Sequence, residues 1–111
     1  MEIEPLDLSQ FNFCEKDFQE LPHILLTEKS SLPKESAIYF VFDEARKMWY
    51  VGQTQNIRRR WAGHARKAQL IKLGAVHLYW LPVKPTHLLF EMEQAFIRRF
   101  TPPLNIAPLR F

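Results

Sequence analysis

The alternation of apolar and polar residues near the middle of the chain predicts a β-hairpin. Two runs, residues 37–42 and 48–51, are rich in aromatic and β-branched side chains, which favour strands. Residues 43–47 supply the turn between the runs, and Gly52 ends the second run. We therefore expect two neighbouring antiparallel strands in this region.

The length of the hairpin loop predicts which residues face each other. A four-residue loop, 43–46, would place Phe42 opposite Lys47 and Tyr39 directly opposite Tyr50. Directly opposed side chains point to the same face of a sheet, with Cβ atoms about 5 Å apart. This register predicts that the two phenol groups lie side by side.

A helix is predicted after the hairpin, over roughly residues 56–71. Asn56 is a good N-cap, because its side chain can accept a hydrogen bond from the first turn. Arg60 and His64 are four residues apart, so they share a neighbouring face of this helix. Its apolar stripe consists of four residues at helical spacing: Ile57, Trp61, Ala65 and Ala68.

The last third of the chain predicts one more strand and one more helix. Residues 75–81 form the strand, which ends at Pro82. Thr86 then caps a helix over residues 88–100, which stops at the sequence Thr-Pro-Pro that follows. Together with the hairpin, these elements predict an α+β fold, in which helices flank a small central antiparallel sheet of about three strands.

Glu93 is unusual on this last helix, because Leu89 and Ile97, four residues away on either side, are both apolar. A carboxylate between apolar neighbours is costly unless solvent, a cation or a hydrogen bond satisfies it. This position is therefore a candidate for function.

Charge divides the sequence into two parts. Residues 1–36 hold eight acidic and three basic side chains, a net charge of −5, whereas residues 37–111 carry +8. Such asymmetry indicates either a surface that meets a polyanion or ordinary solvated charge. We interpret residues 1–36 as an acidic N-terminal extension that packs on or near the domain formed by residues 37–111. Its pattern allows a short helix at residues 17–26, interrupted by Pro22.

Composition narrows the class of protein. The 111 residues are enough for one domain, with an ordinary 47% of hydrophobic and 24% of charged residues. No apolar run reaches the length of a membrane span. The acidic start, residues 1–5, lacks the regions of a signal peptide, and the single cysteine, Cys14, excludes an internal disulfide. We expect a cytoplasmic protein with no membrane partner.

The hairpin also carries two short motifs. Ala37-Ile38-Tyr39 and Tyr50-Val51-Gly52 resemble the paired Gly-Ile-Tyr and Tyr-Ile-Gly triplets of the GIY-YIG nucleases. Two positions depart from the family pattern. Ala37 stands in place of glycine, and Gln53 stands where the DNA-repair members carry lysine, which removes one point charge near the substrate.

Three later segments continue the resemblance, which covers roughly residues 37–106. Asn56, with Arg60 one turn on and then His64, is similar to the segment that opens the next helix in the family. Glu93 lies where the family keeps its metal-binding glutamate. Asn105 resembles the end of the closing Pro-x-x-Asn element. Five motifs in order, with consistent gaps, are a strong signal, although each is weak alone.

The resemblance implies a phosphodiesterase mechanism with assigned roles. Tyr39 would be the general base for the attacking water, and Tyr50 would orient this water or bond the phosphate. Arg60 would stabilise charge on the phosphate, and Glu93 would bind one Mg²⁺ or Mn²⁺ ion. His64 would donate to phosphate or help to move a proton. Because an ordinary tyrosine titrates near 10, the base also requires a nearby cation or hydrogen bond.

Other polar residues are expected to contact the substrate. We assign nucleic-acid binding to five of them: Gln53, Arg58, Arg59, Lys67 and Asn105. For Asn105, fixing the active-site loop is the alternative role. DNA is a more expected partner than RNA, and the acidic N-terminal segment could bind a protein partner. The oligomeric state does not follow from the sequence.

The sequence thus predicts a metal-dependent endonuclease that cleaves DNA with low sequence specificity, since so small a domain has little surface for reading bases. Two alternatives remain. One is a catalytically silent module that only binds nucleic acid, and the other is a nuclease subunit that depends on a partner. In the second case the acidic segment would dock that partner or cover the basic face.

Overall fold

The computed structural model describes residues 15–26, 32–62, 67–84 and 86–106. Within these ranges, none of the helices has the length and apolar character needed to span a bilayer. The elements, in chain order, are helix α1 (Glu15–Glu20), strands β1 (His23–Leu25), β2 (Ala37–Asp43) and β3 (Met48–Thr54), helices α2 (Ile57–Ala62) and α3 (Lys67–Lys72), strand β4 (Ala75–Pro82), a 3₁₀ turn (Thr86–Leu88) and helices α4 (Leu89–Phe100) and α5 (Pro103–Ile106).

The strands form one antiparallel sheet in the order β1-β4-β2-β3. The predicted α+β fold is confirmed, but the sheet has four strands rather than about three. The additional strand, β1, comes from the acidic segment, where Ile24 pairs with Leu78 of β4. Three residues are too few to show a period of their own. The conformation of β1 therefore depends on its partner strand.

Alternate residues of β2 separate two hydrophobic cores, one on each face of the sheet. The α4 face is the side to which Ile38, Phe40 and Phe42 point, and Phe96 of α4 packs there together with Phe18 of α1. The α2 face is the opposite side, and its core contains residues of β2, α2 and α3: Ala37, Tyr39, Val41, Ile57, Trp61 and Leu70. Because both faces are covered, six consecutive residues of β2 are buried.

The helix predicted after the hairpin corresponds to α2 and α3, which lie on either side of residues 63–66. Its N-cap is confirmed, since the Asn56 Oδ1 accepts a hydrogen bond from the Arg59 backbone N–H at 3.1 Å. The predicted apolar stripe is wrong at Ala68, which is exposed, while Leu70 is fully buried. Burial of leucine removes more apolar surface from water than burial of alanine, so packing favours Leu70.

The start of α4 also differs from the prediction. Thr86 begins a 3₁₀ turn instead of capping the helix, and Leu88, at the N-cap position, makes no capping hydrogen bond through its side chain. The end of α4 is as predicted. There, Thr101 adopts a left-handed backbone conformation (φ 44°), and its N–H donates to the Ile97 carbonyl at 2.8 Å.

The described part of the acidic segment contributes to both cores. Phe18 is 5% exposed, and Leu26 and Leu32 are still more buried. The segment is also tied to the residue that follows β4, because the Ser36 Oγ donates to the Val83 carbonyl at 2.5 Å. Removal of the residues before Ser36 would therefore expose apolar surface on both faces of the sheet.

Candidate active site

Tyr39 is buried in the central strand, yet its hydroxyl end reaches across the neighbouring edge strand. The residue is 1% exposed, and its cross-strand partner in β3 is Gly52. A Cβ atom placed on Gly52 would overlap the Cζ and hydroxyl of Tyr39. The phenol therefore lies directly against the glycine backbone. The missing side chain at residue 52 leaves the space through which Tyr39 passes.

The hairpin register differs from the predicted one. Tyr39 pairs with Gly52 and Tyr50 pairs with Val41, so the two tyrosines are diagonal rather than directly opposite. Phe42 pairs with Met48 instead of Lys47, so the loop is one residue longer than assumed, and the irregularity between Val41 and Phe42 shifts the pairing by one residue more. Because the shift is even, both tyrosines still point to the α2 face, with ring centroids 6.2 Å apart.

Arg60 of α2 supplies positive charge at the Tyr39 oxygen, to which its guanidinium donates a hydrogen bond. Burial nevertheless raises the pKa of Tyr39 well above its ordinary value, and the neighbouring Tyr50 raises it further. Arg60 opposes this rise through its hydrogen bond and its charge, whereas Glu93 adds a smaller increase. The phenol of Tyr39 is therefore neutral in this site.

Glu93 brings a carboxylate from α4 to the same region. It is half-buried and accepts hydrogen bonds from the Gln94 Nε2, at 3.2 Å, and from the backbone N–H of Gln53 in β3. Burial raises the pKa of Glu93, whereas the two hydrogen bonds lower it. The charge of Glu93 raises the pKa of Tyr39, so the carboxylate lies within electrostatic range of the phenol.

A divalent cation fits the surroundings of Glu93. Among the residues that the structure describes, no three His, Cys, Asp or Glu side chains come together as a metal site. Glu93 is therefore a single, half-buried carboxylate, and the charges of both Glu93 and Arg60 act on the phenol of Tyr39. Mg²⁺ is commonly held by one or two carboxylates together with waters and substrate phosphate. This donor set matches that pattern.

Asn105 of α5 occupies the open edge of β3. Its Oδ1 accepts from the Val51 N–H and its Nδ2 donates to the Val51 carbonyl, both at 2.8 Å. The amide thus takes the place of a further strand beside the residue that precedes Gly52. These contacts correspond to the alternative role predicted for Asn105, which was to fix the active-site loop, and substrate binding by Asn105 stays a prediction.

The arginines of α2 have different surroundings. Arg58 is tied to the segment before β2, because its Nε donates to the Leu32 carbonyl at 2.6 Å. Arg59 and Arg60 are exposed and, with residues 54–56, border a shallow depression. Arg60 links this depression to Tyr39. The depression is therefore the part of the basic surface that adjoins the candidate site.

Three other predicted site residues are placed less directly. The side chain of Gln53 is half-buried, and its backbone contacts Glu93. The Nζ of Lys67 lies 5.6 Å from the centroid of the Trp61 ring, so its ammonium packs over the α2 face. His64 lies outside the described residues, and its role stays a prediction.

Two residues of the site were not predicted from the sequence. Gly52 was predicted as the end of a strand and as part of the Tyr-Val-Gly motif but was given no role at the site, although a glycine within a strand pattern signals a close approach of neighbouring atoms. No pattern in the sequence indicated that Gln94 would contact Glu93, because the side chains of consecutive helix residues do not normally face one another.

Comparison with known proteins agrees with this geometry. A model of the GIY-YIG catalytic domain matches residues 35–105. The UvrABC system protein C of Corynebacterium aurimucosum is 30% identical over an alignment of 84 residues, which covers 68% of this chain and 12% of that protein. The protein of the same name from Corynebacterium glutamicum is 29% identical over equal shares. The chain thus spans only 12% of the length of these relatives.

Solved structures show the same fold. The GIY-YIG N-terminal endonuclease domain of UvrC from Thermotoga maritima, bound to magnesium, superposes with a TM-score of 0.60 and 18% identity, over 85% of this chain and 100% of that one. A variant of that domain with asparagine replaced by alanine gives a TM-score of 0.57 at 18% identity, over 81% and 94%. The fold and the sequence matches define a small α+β catalytic domain. This chain belongs to the GIY-YIG family.

Proposed function

We propose that this protein is an endonuclease that hydrolyses phosphodiester bonds in DNA with one Mg²⁺ or Mn²⁺ ion. The observation that carries the proposal is the convergence of Tyr39, Arg60 and Glu93 beside Gly52. The three side chains come from β2, α2 and α4, so only the folded chain brings them together. A hydrogen-bonding phenol, a guanidinium group and a carboxylate are groups that suit the attack of water on a phosphodiester.

Glu93 is the residue proposed to hold the ion. A divalent cation bound there would polarise a phosphoryl oxygen and neutralise part of the developing charge. Partial burial lowers the local dielectric and so strengthens the attraction of the carboxylate for a cation. The Thermotoga domain was solved with magnesium, and variants of it with one tyrosine replaced by phenylalanine also hold a divalent cation. We therefore expect cation binding to depend on Glu93 more than on Tyr39.

Arg60 is proposed to bind the scissile phosphate. A guanidinium carries five N–H donors, so its hydrogen bond to Tyr39 leaves donors for phosphate oxygens. Negative charge grows on these oxygens as the transition state forms, and the attraction grows with it. Arg59, in the same depression, would contact the next part of the nucleic-acid backbone.

Tyr39 is proposed to orient the attacking water and to take its proton. Burial keeps the resting phenol protonated. The phenol can therefore act as a base only when further positive charge, in addition to that of Arg60, stabilises its oxygen. Tyr50, half-buried on the same face, would hold the water from the other side. The phenol is thus a positioning group before it is a base.

The proposed substrate preference rests on charge and size. Residues 37–111 carry a net charge of +8, which suits a polyanion. The exposed arginines beside the site suit backbone phosphates, and such contacts carry no sequence information. DNA cleaved with low sequence specificity is therefore the proposed substrate.

A cleavage assay tests the proposal. Purified protein is incubated with supercoiled plasmid and with labelled single-stranded and duplex oligonucleotides, in Mg²⁺, Mn²⁺ or EDTA. Glu93→Gln keeps the size of the side chain but removes its charge. Cleavage should fall at least about 1,000-fold, equivalent to about 4 kcal/mol. Glu91→Gln, at an exposed position of the same helix, is the matched control and should keep the wild-type rate.

Nucleic-acid binding is measured on the same samples. Intact binding by the wild type, without cleavage of any substrate in either metal, would reject the enzyme and support the silent binding module. Equal cleavage by the wild type and Glu93→Gln would reject the role of Glu93.

A further inference from the structure

Gln94 makes an unusual contact within the candidate site. Glu93 and Gln94 are consecutive residues of α4, and consecutive side chains of a helix point in directions about 100° apart. The Gln94 Nε2 nevertheless donates to the Glu93 Oε1 at 3.2 Å, and both residues are half-buried. Both side chains must therefore bend toward a common point.

The second hydrogen bond to Glu93 comes from the opposite side. The Gln53 backbone N–H belongs to β3, whereas Gln94 belongs to the helix that carries Glu93 itself. A carboxylate offers about four lone-pair positions, so two donors fix its orientation and leave about half of these positions for a cation. Glu93 is held between the strand and the helix rather than left to rotate.

We propose that Gln94 is a positioning residue that holds the Glu93 carboxylate in the orientation that binds a divalent cation. The inference rests on the proposed function, which gives Glu93 the ion. An amide is well suited to this role because it donates a hydrogen bond without bringing a positive charge. A lysine or arginine at residue 94 would fix the carboxylate equally well, but it would repel the cation.

The test measures cation affinity directly. Mn²⁺ is titrated into the full chain, and the free ion is followed by its electron paramagnetic resonance signal. Gln94→Met keeps the length of the side chain and removes the donor, so affinity should fall about tenfold, as for other residues that orient metal ligands. Gln69→Met, at an exposed position of α3, is the matched control and should bind Mn²⁺ as the wild type does. Gln94→Ala removes the same donor without adding apolar atoms and should give the same loss.

A double variant shows whether Gln94 acts through Glu93. Glu93→Gln alone should abolish the tight site, and Gln94→Met added to it should change nothing further. Unchanged or tighter Mn²⁺ binding in both Gln94 variants, with binding lost in Glu93→Gln, would overturn the role of Gln94 and leave the proposed function standing. Absence of Mn²⁺ binding by the wild type would instead count against the proposed function itself.

Discussion

The two faces of the sheet bury aromatic rings of different chemistry. On the α4 face, Phe40 meets both Phe18 and Phe96 edge to face, with ring centroids 4.8 Å apart in each pair. On the α2 face, the buried aromatics are Tyr39, Trp61 and Trp80, each of which carries a polar atom. One face is built for packing alone, whereas the other buries groups that must also find hydrogen-bond partners.

The partners on the α2 face explain where chemistry is possible. The Trp61 Nε1 donates to the Leu26 carbonyl at 3.5 Å, and the Trp80 Nε1 donates to Glu35 at 3.3 Å, so both indoles bond to the segment before β2. Tyr39 instead receives its hydrogen bond from Arg60, next to the basic depression. The α2 face thus keeps a reactive phenol in a low dielectric, whereas the fully buried aromatic rings of the α4 face are all phenylalanines, which contribute stability but no polar atom.

The largest expected loss of stability follows from a cavity in the core of the α4 face. Phe96 is fully buried, so Phe96→Ala leaves a cavity among the surrounding phenylalanine rings. The free energy of unfolding should therefore fall by about 3–5 kcal/mol. Urea denaturation measures the change. Phe90→Ala, at a 62% exposed position of the same helix, should lose far less. A similar loss in both variants would show that burial in the aromatic core does not determine what residue 96 contributes to stability.

The next effect separates chemistry from packing on the α2 face. Tyr39→Phe keeps the ring and removes only the hydroxyl, so the free energy of unfolding should change by about 1 kcal/mol or less. Cleavage should fall about 100-fold or more, equivalent to about 2.7 kcal/mol, if the phenol handles the proton of the attacking water. Plasmid nicking rates and urea midpoints measured on one preparation give both numbers. Unchanged cleavage would make Tyr39 a core residue like Phe40.

The elements that the sequence predicted well are those whose pattern is local. The hairpin strands and α4 carry enough apolar residues at strand or helix spacing to be identified. The two prolines that follow Thr101 predict the end of α4. β1 could not be predicted because its three residues adopt a strand conformation only through pairing with β4. The predicted hairpin register was wrong because the local sequence indicated neither the longer loop, in which Phe42 pairs with Met48, nor the bulge next to Val41.

The candidate site shows the same limit. The short motifs marked Tyr39, Arg60 and Glu93, and the fold brings these three together. The motifs did not show that Asn105 would bond the β3 edge, since that contact joins residues 54 positions apart in the chain. A sequence does not distinguish a polar side chain that stabilises the fold from one that binds substrate. Only the tertiary contacts distinguish the two.

The last pair of variants concerns the point where β2 and β3 meet. In Gly52→Ala the added methyl would overlap Tyr39, whose ring is buried against Trp61 at a centroid distance of 6.3 Å and has little room to move. Overpacking of this kind should lower the free energy of unfolding by about 1–3 kcal/mol and displace the phenol, so that cleavage is also lost.

Gly74→Ala is the control for this variant, because it separates backbone strain from collision. Gly74 has a left-handed backbone (φ 89°), but no atom lies within 4 Å of an added Cβ. Its replacement should cost about 1 kcal/mol through strain and leave cleavage unchanged. Both variants are compared by urea denaturation and plasmid nicking. If Gly52→Ala retained full cleavage, the hydroxyl of Tyr39 would not need its place over the glycine, and the α2 face would be a packing surface like the α4 face.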